Sequence, residues 1–492
     1  MKRWGEKDMT ASTSFDHIIR NGLVIDGSGS AGVKADIGIS GDRILAIGDL
    51  SHLDAAQVTD AAGMVVAPGF IDVHTHDDAS LIIRPDMEAK LSQGVTTVIC
   101  GNCGISGAPY DLDKEPPGLL RLVFKSEEFV APDLASYMAK VEAAQPSVNS
   151  AFLTGHTTLR MNAMGDDLDR AATPDEIDYM KGQLEQAMRE GSIGLSTGLF
   201  YDPAHAAPTQ EVIELASVLT DYDGIYTTHM RDEADHVVAS VEESIQIGAI
   251  AKVPIIISHH KCQGKQNFGR SAETLKIMAA ARKTQPVALD VYPYEACSTV
   301  LNKTNVLGAL RTMVTWSDPH PEMCGRDLDD IADELGLSQL DAMEKLMPGG
   351  AIYFMMDEAD IDRIMTSENA MIGSDGLPED EHPHPRLWGT FPRVLGHYVR
   401  EKQLMPVHEA VHRMTGLSAG NFMLKDRGLI RQGYFADITI FDADTVIDKA
   451  TYENPKQHAS GIMAVIVNGQ MAWQNGRASG ARAGKVLKRT GN

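Results

Sequence analysis

The sequence predicts an α/β protein: a (β/α)8 TIM-type barrel of the metal-dependent hydrolase kind, joined to a small β-sandwich domain built from both termini. Between residues 68 and 424, short apolar runs alternate with stretches of helical composition, as parallel strands with crossover helices require. Five of these runs end at a residue able to hold a metal or move a proton, and a closed parallel barrel gathers its strand C-termini on one face. The two ends of the chain share another texture, short strands separated by turns containing Gly or Asp, which suits one β unit drawn from both.

Residues 1–67 are expected to form the N-terminal part of the small domain. The first ten read as a loose lead, and strands follow near 17–20, 23–25, 36–39, 44–47 and 64–66. Residues 68–424 form the catalytic barrel, with strands expected at 65–73, 95–100, 150–154, 192–199, 225–228, 254–258, 286–293 and 369–374. Stretches 213–219, 240–250 and 272–281 carry apolar residues at helical spacing. The segment from about 295 to 365 is longer than an ordinary βα connection. Its helical pieces at 328–335 and 338–346 are expected to insert over the barrel mouth as a lid or specificity element. Residues 425–492 return to β texture at 436–441 and 463–469 and complete the small domain.

Charge and cysteine content narrow the possible partners. In this 492-residue chain 44 Lys and Arg face 68 Asp and Glu, a formal charge of −24, which disfavours nucleic acid and anionic membrane surfaces. An anionic substrate would need local positive groups. Five cysteines are too few and too unevenly placed for a disulfide framework, so a reducing cytoplasm is the expected compartment. No secretory apolar segment is evident, and no run approaches the roughly 18 apolar residues that span a bilayer.

The strand ends carry the chemistry. His74 and His76 lie two apart, so on a strand their imidazoles share a face. With Cys103, His229, His259 and Asp375 at later strand ends, they make a donor set of imidazole and thiolate that suits zinc best. Asp375 is the expected proton carrier: a carboxylate beside a metal-activated water can take its proton and hand it to a departing nitrogen. The bland reading of Asp375 is a cap in a Ser-Asp-Gly turn. Cys100 and Cys103 form a C-x-x-C without thioredoxin-like surroundings, which leaves Cys103 an inert buried thiol or a metal ligand. His260 competes with its neighbour His259 as ligand, and His156 either supports the site or packs. His205, His236, His382, His384, His397, His408 and His412 are expected at the surface or in packing.

Longer motifs identify a family. PGFIDVHTH (68–76), GNCGIS (101–106), GLSTGLFYDP (194–203), THMRDE (228–233), ISHHKC (257–262), DVYPY (290–294), GSDG (373–376), HPRLWGTFPRVLG (384–396) and MTGLSAGNF (414–422) run through the chain. Over essentially its whole length it resembles the N-acyl-D-amino-acid deacylases (D-aminoacylases) of the amidohydrolase superfamily. The resemblance implies that Cys103, His229 and His259 hold one tightly bound Zn2+, with His74 and His76 lining a second, weaker position. It implies that Tyr201 donates to the substrate carbonyl oxygen, and that Lys261, Tyr292, Ser298 and Arg386 clamp the substrate carboxylate. Arg386 suits bidentate carboxylate recognition.

The activity so implied is zinc-dependent hydrolysis of a small N-acyl-D-amino acid to a carboxylate and a free D-amino acid. Many binuclear relatives carry a bridging carboxylated lysine on the fourth strand; residues 193–199 contain no lysine, which disfavours dihydroorotase- and hydantoinase-like chemistry. Relatives acting on N-acyl-D-glutamate carry arginines in the loop after the seventh strand. Here residues 298–311 are more apolar, although they include Lys303 and Arg311, so neutral or hydrophobic D-residues (Met, Leu, Phe) are favoured. The alternatives are an N-acyl-D-glutamate or D-aspartate deacylase, or another amidohydrolase reaction on cyclic amides, dipeptides or amino groups of nucleobases. A non-catalytic assembly barrel is at odds with the complete donor set, and a metal store with Asp375 and a carboxylate clamp. No signal speaks to oligomeric state.

Overall fold

A computed structural model describes residues 15–110, 120, 123, 124 and 130–489; the loose lead expected over the first ten residues lies outside them. Eight parallel strands form the central sheet: β1 (Phe70–Asp72), β2 (Val95–Cys100), β3 (Asn149–Gly155), β4 (Gly194–Gly198), β5 (Ile225–His229), β6 (Ile255–Ile257), β7 (Val287–Val291) and β8 (Ala370–Ile372). Each pairs with its neighbours in sequence order, and every residue in them is buried, as a sheet covered on both faces demands. The low end of the interior is filled by Ile71, Ile99, Leu153, Ile225, Ile256 and Met371. Polar chemistry is thereby confined to the strand C-termini. Helices Thr209–Val218, Val237–Ala251 and Ser271–Ala281 occupy the stretches where helical spacing was seen. Among the described residues no helix is long and apolar enough to cross a membrane.

The apolar run at 65–73 is divided between two sheets. Val65–Pro68 pairs antiparallel with Ile438–Phe441, and after Gly69 the chain turns into β1. Val65–Pro68 and Ile438–Phe441 join the N-terminal strands Phe15–Val24, Val33–Ser40, Arg43–Gly48 and Ala55–Asp60 to the C-terminal strands Ile462–Val467, Gln470–Gln474 and Arg477–Ala478 in one nine-stranded sheet.

The segment between β7 and β8 differs from the helical insertion expected. Its helices Leu328–Leu335 and Gln339–Leu346 are present, but they pack on an antiparallel sheet of Ala296–Val300, Gly349–Phe354 and Arg311–Ser317, with Gly349–Phe354 central. These strands are short and far apart in sequence, so none of the turn signals that mark a hairpin links them. Val314, Leu328, Ile331, Leu346 and Tyr353 share a core with Tyr292 and Tyr294, which roots the insertion in the residues just after β7.

β8 and β1 meet through a single bridge, Thr75 with Gly376, and side chains close the seam. Asp72 accepts from the Ser374 amide at 2.8 Å and from the Lys90 ammonium at 2.8 Å. Lys90 also donates to Ser374 Oγ at 3.0 Å and pairs with Asp77 at 3.0 Å. All four residues are buried. Burial alone would lower the Lys90 pKa, and Asp72 and Asp77 outweigh it and raise the pKa instead. Removing the cation strands two buried carboxylates. Lys90→Met should therefore cost about 3–5 kcal/mol in denaturant unfolding. A loss below about 1 kcal/mol, the size of one ordinary hydrogen bond, would show that the backbone bridge holds the seam unaided.

Candidate metal centre

Four donors from four strand ends converge. His74 follows β1, Cys103 lies three residues beyond β2, His259 two beyond β6 and Asp375 three beyond β8. His74 Nε2, Cys103 Sγ, a His259 ring nitrogen and an Asp375 carboxylate oxygen all lie within 4.8 Å of one another, in buried residues. His229, the last residue of β5, places Nδ1 3.8 Å from the sulfur, and His76 Nε2 is 3.2 Å from Asp375. Cys103, His259 and Asp375 all have positive φ, at 54°, 34° and 50°. Side chains other than glycine adopt this region at a cost of about 1–3 kcal/mol each, and such strain gathers at functional sites. Around Cys103 the chain supplies Gly101 and Gly104, both at φ 79°. A Cβ at Gly101 would stand 2.2 Å from the Leu153 carbonyl.

The donors fit a zinc ion. With Zn–S near 2.3 Å and Zn–N near 2.05 Å, a tetrahedral centre separates sulfur from nitrogen by about 3.6 Å. The Cys103 sulfur lies 3.2, 3.3 and 3.8 Å from the nearest nitrogens of His74, His259 and His229. Burial opposes a charged thiolate. His74 and His259, with hydrogen bonds from His229 and His259, override it and hold the Cys103 thiol well below its usual pKa, ready to ligate.

Two carboxylates that sequence reasoning passed over orient this set. Asp290, at the end of β7, lies 3.3 Å from His74 Nδ1 and accepts from the His259 amide at 2.9 Å. Glu233 is buried with one oxygen 3.1 Å from His259 Nδ1, and it receives Lys261 Nζ at 2.7 and 2.9 Å and Gln263 Nε2 at 3.0 Å. Burial pushes its carboxyl up, but Lys261 and the two histidines prevail and hold it low. A carboxylate on the far nitrogen of a ligating imidazole fixes its tautomer. Both stood in the quoted motifs THMRDE and DVYPY, one beside a strand end and one on it, which was the available signal.

The remaining candidates sort by geometry. His260 turns away to Thr274 Oγ1 at 2.8 Å, and burial lowers its pKa to about 4, so of the adjacent pair it is His259 that enters the cluster. His156 pairs with Glu211 at 3.0 Å and Arg160 pairs with it at 2.5 Å, while Arg160 Nε donates to the Pro203 carbonyl at 2.8 Å; this buried group braces the turn that carries Tyr201. His384 is buried, unlike the other histidines assigned to surface or packing, and its Nδ1 accepts from the Arg386 amide at 3.0 Å.

Arg386 is fully buried, 2.9 Å from Asp375 and 4.7 Å from the Tyr292 ring centre. Burial raises the Asp375 pKa, and Arg386 foremost, with His259 and His74, reverses this and holds the carboxyl well below its usual range. The hydroxyls of Tyr292 and Ser298 are buried without a protein partner. A small cavity beside these groups is lined by Phe200, Tyr201, Cys297, Thr299, Asn305 and Asp375 among others. Thr299 donates to Tyr201 Oη at 3.3 Å. Arg311 does not reach the cavity; it pairs with Asp327 at 2.8 Å.

The sequence model of the Amidohydrolase family matches residues 57–303 and 337–472. The chain is 52% identical to the D-aminoacylase of Alcaligenes xylosoxydans xylosoxydans, over 97% of its own length and 99% of the relative's. A solved D-aminoacylase with a binuclear metal centre, showing one-metal activation and second-metal attenuation, superposes with a TM-score of 0.94 at 51% identity, covering 96% of this chain and 100% of that one. The N-acyl-D-glutamate deacylase of Bordetella bronchiseptica, solved with zinc and a phosphonate mimic of the tetrahedral intermediate, matches with a TM-score of 0.94 at 43% identity, over 97% and 100% of the two chains.

The brace around Glu211 has a pH signature. Burial raises its pKa, and His156 and Arg160 bring it down from 4.5 to about 2. Below pH 4.5 the unfolded chain therefore takes up a proton that the native state refuses, so this stability is present above pH 4.5 and lost as pH falls towards 2. Glu211→Gln should cost about 3 kcal/mol at pH 7. Chemical unfolding along a pH series should show its deficit against the unmodified chain shrinking below pH 4.5; a constant deficit would contradict the assignment.

Proposed function

Because the chain belongs to the amidohydrolase family and is an enzyme acting on linear amides, we propose that it hydrolyses N-acyl-D-amino acids to a carboxylate and a free D-amino acid, preferring neutral or apolar D-residues. The observation that carries this reading is Asp375, set between a zinc-type donor cluster and a buried arginine beside two unpartnered hydroxyls. On this reading Cys103, His229 and His259 hold one zinc tightly, and His74 and His76 line a weaker second position. A zinc ion supplies a Lewis acid that polarises the amide carbonyl and lowers the pKa of water from 15.7 to about 7.

Asp375 takes the proton of the attacking water and delivers it to the amide nitrogen as the C–N bond breaks. Tyr201 donates to the carbonyl oxygen. Burial first, then the charge of Cys103, raises its phenol pKa well above 10, so it stays a donor, and Thr299 fixes its oxygen. Arg386, Tyr292 and Ser298 receive the α-carboxylate, with Lys261 at the edge of the same group. A substrate carboxylate sharing the Arg386 guanidinium weakens its hold on Asp375 and raises that carboxyl's proton affinity towards the range a shuttle needs.

The cavity lining supports the side-chain preference. Its two nearby cations, Lys261 and Arg386, are committed to Glu233 and Asp375, Arg311 is committed to Asp327, and Lys303 is exposed and outside the cavity lining, so no lining cation is free for a second substrate carboxylate. The greater identity to the D-aminoacylase than to the N-acyl-D-glutamate deacylase agrees. The sparse and unevenly placed cysteines support a reducing cytoplasm as the compartment. We assign residues 1–67 and 425–492 to the small domain and 68–424, with its insertion at about 295–365, to the catalytic barrel.

Acetate release from N-acetyl-D-Met, -D-Leu, -D-Glu and -D-Asp beside their L-isomers tests the reading. Turnover of D-isomers alone is expected, fastest for Met and Leu, and no turnover by zinc-loaded protein would sink it. Faster release from D-Glu or D-Asp would overturn the preference alone. Asp375→Asn should lower kcat by about 10²–10⁴-fold. Tyr201→Phe should lower kcat by about 10²–10³-fold with KM little changed. Chelation should abolish turnover and added Zn2+ restore it.

A further inference from the structure

At the opposite end of the barrel from the metal centre lies a cavity of about 990 Å³. It is walled by residues leading into β4, β5 and β6 (Ile193, Gly224, Val253), by the turn at 422–427, and by the segment 485–489. The layer of Ile71, Ile225, Ile256 and Met371 separates it from the strand C-termini. Seven of its 22 lining residues are Lys or Arg and two are Asp, on a chain whose formal charge is −24.

Four of the cations are already matched. Arg43 pairs with Asp426 at 3.3 Å, Lys485 with Asp42 at 2.8 Å, Arg427 with Asp437, and Lys488 reaches Glu142 at 4.0 Å. Three have no salt-bridge partner. Lys252 and Lys425 have no ion-pair or hydrogen-bond partner among the described residues, and the Arg489 guanidinium donates to the Tyr222 carbonyl and the Met423 sulfur, with Asp223 on the same rim the one carboxylate whose charge it feels. These three come from different parts of the chain: the residue capping helix Val237–Ala251, the turn after the barrel, and the C-terminal segment. Like charges gathered around one concavity repel unless a counter-charge fills it. A single carboxylate offers one charge; three separated cations call for a polyvalent anion with many acceptor oxygens, which is what phosphate groups present. The volume suits a small molecule.

We infer that the base of the barrel is a second binding site, for a small ligand carrying two or more phosphate charges. The ligand is a nucleotide or a sugar phosphate, since both bring the same charged groups to Lys252, Lys425 and Arg489. Isothermal titration of the zinc-loaded full chain at about 0.15 M salt, with ADP and with fructose 1,6-bisphosphate, tests this. One saturable site with Kd below about 1 mM is expected for at least one probe. Tighter binding of ADP identifies the nucleotide, and equal or tighter binding of the bisphosphate identifies the phosphates alone. Lys252→Ala with Lys425→Ala should weaken binding at least about tenfold and leave amide hydrolysis unchanged, since both side chains are exposed and far from the metal centre. Absence of saturable binding for both probes would overturn the inference. So would an affinity unchanged in the double variant, which would place the anion at the zinc instead.

Discussion

The seam between the first and last barrel strands governs the site. A parallel barrel leaves its final pairing to be made between segments about 300 residues apart, and here β1 and β8 contribute almost no ladder of their own. Asp72 supplies the missing hydrogen bonds by accepting from the Ser374 amide and from Lys90. With that clasp in place the Asp375 amide donates to the His74 carbonyl at 2.8 Å, which sets the carboxylate against His74 and His76. The proximity of proton carrier and metal donors is thus a consequence of how the sheet closes.

Electrostatics inside this acidic chain follow from pairing each buried charge with a specific partner. Glu233 is satisfied by Lys261, Gln263 and His259, and Asp375 by Arg386 and the histidines. Arg386 is positioned in turn by His384 and by the Ser298 carbonyl, both tied to the strand Ala296–Val300. The insertion therefore contributes to the substrate pocket through its first strand, and its helices stand behind that strand on a core shared with Tyr292 and Tyr294.

How much of this was legible in the sequence depended on the range of the signal. The barrel strands were visible because each is a short apolar run bounded by polar residues, and the donors because they stand at the ends of those runs. Gly69 shows the limit: the run 65–73 is continuous in composition, and only tertiary structure divides it between two sheets. The sheet of the insertion escaped notice because its strands pair across intervening helices. The left-handed backbone of Cys103, His259 and Asp375 was invisible: Asp and His tolerate positive φ more than most residues, but nothing local marks which of them adopt it, and Cys gives no such signal. Lys261 read as a free cation for substrate, and its engagement with Glu233 is a contact across 28 positions that spacing does not reveal.

The antiparallel pairing of Val65–Pro68 with Ile438–Phe441 bears on how the chain is made. The N-terminal strands leave the ribosome first, yet their sheet lacks its other half until about 370 more residues have been added. At 5–20 residues per second that interval is about 20–75 s. Throughout it, the edge of Val65–Pro68 that Ile438–Phe441 will cover has no partner. The last barrel strand, Ala370–Ile372, is itself made only about 66 residues before Ile438, so the seam of the barrel and the flanking sheet both wait for the final quarter of the chain to be completed.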